Sequence, residues 1–344
     1  MYKKFLMGIA AMAALTLVSC SSDDLNSLSD NSSKNEAISF DGYLGRSAVA
    51  VNGSRGSVLD KTTLPAEGFG VFGNYSSTET ENATFGFNLF NNVKVTGETS
   101  AGGTKWTYSP LKYWQTVGHV DFLAYAPHVD NKQLKGSSID FTVEDKAVNQ
   151  KDLLYAKAVG QTKDNISGTD YKVKFQFAHA LSRLGYTVKL KDTYTNVTIK
   201  LNKITLAGSS DGTSKTAFDK EGAIDLSTGV WTPSTSDEKL NFEWFTNTDG
   251  TELTIAATDN ADNYLFVIPQ KFSASAPLYV IVDYTITYSD GTTVKAKVYK
   301  QLEKEFLQGK AYTINLTIGL TPIEFNAEVN NWVDGDKIDD ITWE

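Results

Sequence analysis

Apolar and polar residues alternate over long stretches of this chain, and this period of two is the feature that most constrains its fold. The alternation is clearest over residues 171–177, 278–288 and 312–320. It places one face of an antiparallel sheet against a core and the other face in water. Glycine-containing pairs that favour turns separate such runs at Gly102-Gly103, Asp211-Gly212, Asp249-Gly250 and Asp290-Gly291.

The predicted fold class is all-β, with two antiparallel β-sandwich domains in tandem. A chain of 344 residues is longer than most single domains, and no stretch shows a sustained helical period. The segment around residues 179–184 links two strand patterns. We therefore predict an N-terminal domain over residues 37–179 and a C-terminal domain over residues 180–344.

The N-terminus carries the pattern of a bacterial lipoprotein signal over residues 1–19. Two lysines precede the apolar run Phe5–Val18, which is too short to span a bilayer, and a small residue then precedes Cys20. We predict that Cys20 is acylated and that residues 20–36 form a polar tether. The acidic pair Asp23-Asp24 resembles an export signal to the outer face of the outer membrane. An ordinary secretory peptide with a chance cysteine is the alternative.

The charge and amino-acid composition of the chain limit the classes of binding partner. The net charge of −9 and the pI near 5.0 argue against nucleic acid or an anionic membrane surface as the binding target. Cys20 is the single cysteine, so the chain has no thiol for a disulfide or for catalysis once that residue is acylated. Arginine is rare, and Arg46 and Arg55 are two of the three in the chain.

Motifs that suggest chemistry fail on inspection. The segment Gly68–Gly73 matches a dinucleotide fingerprint, but no helix pattern follows it, so it is interpreted as a glycine-rich strand. His119/Asp121 and His128/Asp130 have a spacing that could contribute to a metal site, although a strand edge or a loop hydrogen bond explains them as well. The acidic residues 334–340 do not fit a calcium loop. We predict no enzyme activity, no metal and no cofactor.

One aromatic cluster leaves two interpretations open. Trp106, Tyr108, Tyr113 and Trp114 lie within nine residues of each other. Exposed, these rings could stack on the sugar rings of a glycan, whereas buried they would pack a β-sandwich core and its turns. The packing interpretation is favoured.

The chain also resembles the fimbrillin family, the type V pilins of anaerobic Gram-negative gut and oral bacteria. An ordered set of segments carries the resemblance, namely Phe69–Phe72, Trp106–Trp114, Phe122–Pro127, Asp152–Ala156, Phe177–Ser182 and Gly309–Tyr312. The resemblance implies two transthyretin-like sandwiches, lipoprotein export and assembly into fimbriae. It further implies that an arginine-specific protease removes the N-terminus with the first strand, and that another subunit's C-terminal segment fills the groove.

Two segments share a spacing that suits such an exchange. Ile38, Phe40, Gly42 and Leu44 alternate with other residues near the N-terminus, and Ile323, Phe325, Ala327 and Val329 do the same near the C-terminus. Two strands with one side-chain pattern can occupy one groove. The C-terminal extension begins at about residue 321. Residues 323–329 could instead be the last strand of their own domain, and a donor around residues 338–343 remains open.

Arg46 and Arg55 both follow the first segment, as cleavage would require. We favour Arg46 on position, whereas Arg55 lies in the more flexible pattern Asn52–Ser57. The predicted function is a fimbrial subunit on the outer membrane that partners other fimbrial subunits and supports adhesion or biofilm. The alternatives are a tethered lipoprotein that binds glycans and an uncleaved anchor subunit of the fimbria.

Overall fold

The structure is a computed structural model, and it describes residues 37–44, 58–78, 84–166, 171–236, 238–260 and 263–320, together with the backbone of residues 324–331 and 341–342. This part of the chain is nearly all β and is built mainly of antiparallel sheets, as predicted. A short helix α1 covers Leu64–Glu67, and a 3₁₀ turn covers Ala147–Asn149. No helix within the described ranges is long and apolar enough to cross a membrane.

The strands of the described residues lie on both sides of residue 180. Before residue 180 they are β1 Ser39–Leu44, β2 Phe69–Ser76, β3 Phe90–Ser100, β4 Gly103–Thr107, β5 His119–Ala126, β6 Ser138–Thr142, β7 Leu154–Gln161 and β8 Lys172–His179. After it they are β9 Ser182–Leu190, β10 Val197–Ala207, β11 Phe218–Asp219, β12 Glu221–Asp225, β13 Trp231–Pro233, β14 Lys239–Leu240, β15 Phe242–Glu252, β16 Thr258–Asp259, β17 Leu265–Val267, β18 Gln270–Lys271, β19 Leu278–Tyr288, β20 Thr293–Leu302, β21 Glu305–Phe306, β22 Lys310–Ile318, β23 Glu324–Asn331 and β24 Ile341–Thr342.

In the N-terminal half, all the described strands except β6 form one curled sheet of order β1-β8-β7-β5-β2-β3-β4. Although β1 and β4 are the two ends of this order, they contact each other, and Ala37 forms a bridge with Tyr113 just beyond β4. The sheet therefore nearly closes on itself. The side chains that it encloses include Phe69, Phe122 and Phe175, all with no exposed surface.

The C-terminal half has two larger sheets. One has the order β15-β10-β19-β20, and the other has the order β16-β9-β22-β23-β24 with β17 also paired to β9. Alternate side chains of both sheets meet in a single hydrophobic cluster. Within it, the rings of Tyr186 on β9 and Trp244 on β15 meet edge to face at 4.9 Å. The arrangement is that of a β-sandwich.

Hydrogen bonds cross the domain boundary predicted at residue 180. Strand β6, from the N-terminal side, pairs with β12 from the C-terminal side. The indole N–H of Trp231 donates to the carbonyl oxygen of Ala180 at 2.8 Å. Leu123 and Tyr125 of β5 also belong to the cluster that fills the C-terminal half. The two halves therefore share a sheet and a core at their junction.

Strand direction and one turn differ from the sequence expectation. Strand β1 pairs parallel with β8, and β9 pairs parallel with β22, whereas the other named strands of the described residues pair antiparallel. Asp249-Gly250 does not separate two strands but lies in an irregularity of β15, where the pairing partner of β10 jumps from Thr246 to Thr251. Gly250 has a φ of 74°, which suits the extra residues of such a bulge.

The groove that holds the first strand

Strand β1 and the residue before it place two side chains deep in the N-terminal core. Ile38, just before the strand, is 1% exposed and Phe40 is 3% exposed. The Phe40 ring lies at 5.4 Å from Phe90, 5.5 Å from Phe122 and 5.6 Å from Phe175, with the last pair stacked. Aromatic pairs at these separations add to the stabilisation from burial. Phe40 is therefore a central member of this core, although it comes from a strand at the end of the sheet.

Gly42 follows on the same face, where the groove is so tight that a larger residue requires the neighbouring rings to shift. A Cβ atom at this position would lie 3.1 Å from Cε1 of Phe69 and 3.3 Å from Cε2 of Phe177. The next neighbour is the Trp106 ring at 3.5 Å. The groove thus has two deep pockets, for Ile38 and Phe40, followed by a closed floor under Gly42.

The main chain of β1 is held from both sides. On one side Ser39–Leu44 run parallel to Lys172–Phe177 of β8. On the other, the amide of Ile38 donates to the carbonyl oxygen of Lys112 at 2.8 Å, and the hydroxyl of Tyr108 donates to the carbonyl oxygen of Ile38 at 2.7 Å. Burial raises the pKa of Tyr108, so its hydroxyl keeps the proton that it donates. Strand β1 is in this way the piece that closes the sheet.

Three of the four aromatic residues that suggested glycan stacking pack around this groove and do not form an open platform. Trp114 is buried against Phe122 at 6.4 Å, and Trp106 packs on Phe69 at 5.0 Å. Tyr108 is half-buried beside Phe40, and Tyr113 is the exposed member at 44%. This placement favours the packing interpretation.

The C-terminal segment lies on its own sheet. Glu324–Asn331 pair antiparallel with β22 through Lys310–Thr317, and β24 pairs with β23 in turn. The backbone of Phe325, Ala327 and Val329 belongs to this strand, whereas Ile323 lies outside the described residues. So do residues 1–36 with Cys20 and the tether, Arg46 and Arg55 between β1 and β2, and the acidic residues 334–340.

The paired histidines are hydrogen-bonded structural groups. His119 Nε2 lies 3.3 Å from Asp121 Oδ2, and its Nδ1 lies 2.8 Å from the carbonyl oxygen of Thr78. His128 Nε2 lies 3.4 Å from the carbonyl oxygen of Asn92, whereas its Nδ1 lies 3.7 Å from Asp130, and burial lowers the pKa of His128. In the described ranges no three His, Cys, Asp or Glu side chains group as metal ligands would.

A buried pair that the spacing did not reveal lies at the junction of the halves. His179 Nδ1 is 2.6 Å from Asp152 Oδ2, and Asp152 has no exposed surface. The carboxylate of Asp152 also accepts the amide of Leu153 at 2.8 Å. The two residues are 27 positions apart, so alternation along one strand cannot bring them together, and only the antiparallel pairing of β7 with β8 does so.

The fold and the groove define an all-β protein whose aromatic core is completed by a strand from near the N-terminus. A family model described as fimbrillin-like matches residues 58–332, which is most of the chain. The chain belongs to the fimbrillin-like family. No curated protein matches it.

Solved structures give fold-level likenesses at low identity. A candidate cell adhesion protein from Bacteroides uniformis is 18% identical, with 87% of this chain and 99% of that chain covered, at a TM-score of 0.49. The fimbrial anchor protein Mfa2 from Porphyromonas gingivalis is 11% identical, with 86% of this chain and 97% of that chain covered, at a TM-score of 0.36. The C-terminally truncated tip fimbrial protein Mfa3 from the same organism is 10% identical, with 77% of this chain and 99% of that chain covered, at a TM-score of 0.36.

Proposed function

We propose that the protein is a structural subunit of surface fimbriae that is exported as a lipoprotein acylated on Cys20. A protease cuts after Arg46 or Arg55 and releases β1 from the body of the subunit. The C-terminal segment Ile323–Val329 of another subunit then takes the place of β1. The product is a polymer on the outer membrane that supports adhesion or biofilm, with other fimbrial subunits as partners. Fimbrillin-like family membership supports the coarser part of this proposal, a fimbrial subunit.

The observation that carries the finer part is the position of β1 in the sheet. It lies at the end of the strand order, so its removal leaves the pairing of the remaining strands unchanged. It nevertheless supplies Ile38 and Phe40 to the centre of the core. Removal would therefore leave an intact scaffold with a deep apolar groove, and such a groove binds an extended strand of matching side chains.

The direction and spacing of the strands support the choice of occupant. Ile323 and Phe325 repeat the spacing of Ile38 and Phe40, so they can reach the same two pockets when the segment runs parallel to β8. In the single chain β23 lies at the side of β22. It must leave that position before it can enter the groove of a neighbour.

The first test is N-terminal sequencing of the protein in sheared surface material. A start at Ser47 or Gly56 supports cleavage after Arg46 or Arg55. An intact acylated Cys20 contradicts cleavage and leaves two alternatives, an anchor subunit or a tethered binding protein, which retention on a polysaccharide gel would separate. Replacing both arginines with alanine should block assembly, and replacing both with lysine should do the same if the protease requires arginine and not simply positive charge.

A second test addresses the donor segment itself. Phe325→Asp places a charge on the side-chain face that must enter the groove, and burying an unpaired charge is strongly unfavourable. Asn326→Asp introduces the same charge one residue later, on the opposite face of the strand. We expect polymer loss for the first variant and a normal polymer for the second. A normal polymer from Phe325→Asp would rule out this segment as donor.

A further inference from the structure

The two parallel pairings among the described strands lie on a single continuous stretch of chain. Strand β8 pairs parallel with β1, and β9 pairs parallel with β22 over Arg183–Leu190 and Ala311–Ile318. Only Ala180 and Leu181 separate β8 from β9. We call the stretch 172–190, made of β8, this link and β9, the strap.

The two-residue link within the strap is buried, and its backbone is fixed by hydrogen bonds. Ala180 and Leu181 are both 0% exposed. The amide of Ala180 donates to the carbonyl oxygen of Leu153 at 2.7 Å, and its carbonyl oxygen accepts the indole N–H of Trp231 at 2.8 Å. The carbonyl oxygen of Leu181 accepts the amide of Gly309 at 3.0 Å. A force applied to β8 is therefore transmitted through the link to β9 without prior extension of a loop.

The direction of pull on the β1 pairing follows from its parallel register. A chain that leaves β1 at its N-terminal end exits beside Lys172, the start of β8, because Ser39 pairs with Lys172. The strap carries tension away from the opposite end of β8, at His179. The two strands are thus pulled from opposite ends, along their own length, and all the hydrogen bonds between them are loaded together.

The second pairing has the same geometry. The strap delivers tension to β9 at Ser182, where β9 begins. A chain that leaves β22 departs after Ile318, which pairs with Leu190 at the far end of β9. Antiparallel partners loaded in the same way would be pulled from adjacent ends and would separate one hydrogen bond at a time.

We propose that the strap is the tension-bearing element of the subunit, with each of its two parallel partners loaded in shear. This inference rests on the proposed exchange, which identifies the strand that is pulled in the groove as the incoming segment. That segment is attached to its own subunit at its N-terminal end, just as β1 is attached to the tether at its N-terminal end. Tension then passes from the occupant of the groove to β8, through the link to β9, and from β9 to β22. The next segment in the polymer begins just after β22.

Single-molecule pulling on the full chain tests this path without any polymer. Cys20→Ser removes the only cysteine, so introduced cysteines become unique attachment points. Ala37→Cys with Leu320→Cys pulls both parallel pairs in shear. Asp192→Cys with Leu320→Cys pulls β9 and β22 from adjacent ends, since the amide of Lys191 donates to the carbonyl oxygen of Ile318. Ala37→Cys with Lys172→Cys does the same for β1 and β8.

The Ala37/Leu320 variant loads both parallel pairs in shear, whereas each control loads one of these two pairs from adjacent ends. We expect the first rupture of the Ala37/Leu320 variant to need a force several-fold higher than that of either control, because forced unfolding follows the barrier along the pulled direction. Equal rupture forces would overturn the inference. Thermal unfolding before attachment should be the same for all three variants. A high force here together with failure of the Phe325→Asp test would separate the strap from the proposed exchange.

Discussion

Replacing Phe40 with alanine tests whether β1 is an integral part of the N-terminal core. The ring is 3% exposed and contacts five other aromatic rings, those of Phe69, Phe90, Tyr108, Phe122 and Phe175. Burial of a phenylalanine side chain contributes roughly 1.5–3 kcal/mol. The cavity left among rigid rings adds to the loss, so we expect Phe40→Ala to reduce the free energy of unfolding by about 3–5 kcal/mol.

The control lies on the same strand. Tyr43 is 43% exposed and points away from the core, so Tyr43→Ala should cost less than about 1 kcal/mol. Urea unfolding followed by far-ultraviolet circular dichroism measures both variants, with the shift in midpoint at constant slope as the readout. If Phe40→Ala costs no more than Tyr43→Ala, then β1 is a surface strand. The groove would then lack the deep pocket on which the proposed exchange depends.

Two further predictions follow from close packing in the same half. Gly42→Val should destabilise the chain by roughly 1–3 kcal/mol because its Cβ meets Phe69 and Phe177 within 3.1 and 3.3 Å, whereas Asp41→Val on the opposite face should be nearly neutral in urea unfolding. Burial raises the pKa of Tyr125 from 10.0 to about 12, so the fold favours the neutral phenol. The contribution of the neutral phenol to the free energy of unfolding is complete below pH 10 and is lost as the pH rises through about 12. Unfolding measured across that pH range should show a smaller loss of stability for Tyr125→Phe than for the unmodified chain.

Strand β8 shows what the alternation could predict. Val173, Phe175 and Phe177 are buried, and Lys174 and Gln176 between them are exposed. The glycine-rich run is likewise a strand by its sequence pattern, and it forms β2. Gly70 is needed there because a Cβ would lie 2.5 Å from the Tyr125 ring. These features were predictable because they depend on the period along a single strand.

The partners and directions of strands were not predictable from that period. Alternation is the same for a parallel and an antiparallel neighbour, so the pairing of β1 with β8 left no local signal. The pairing of β6 with β12 joins segments about 80 residues apart through a five-residue strand too short to show a period. The aromatic residues 106–114 were ambiguous for a related reason. Whether Trp114 faces solvent or Phe122 depends on where β5 returns.

The floor of the groove distinguishes the two strands that would compete for it. Ile323 and Phe325 match the deep pockets by residue type, but Ala327 stands where β1 has Gly42. A methyl group at that position lies within 3.1 Å of the Phe69 ring, so the ring must move by a few tenths of an ångström to admit it. Side-chain fit at the floor therefore favours β1 over the incoming segment. Replacement of β1 by the incoming segment then cannot be driven by better packing at this position. Cleavage would make the replacement favourable instead, because β1 can diffuse away once it is no longer covalently attached.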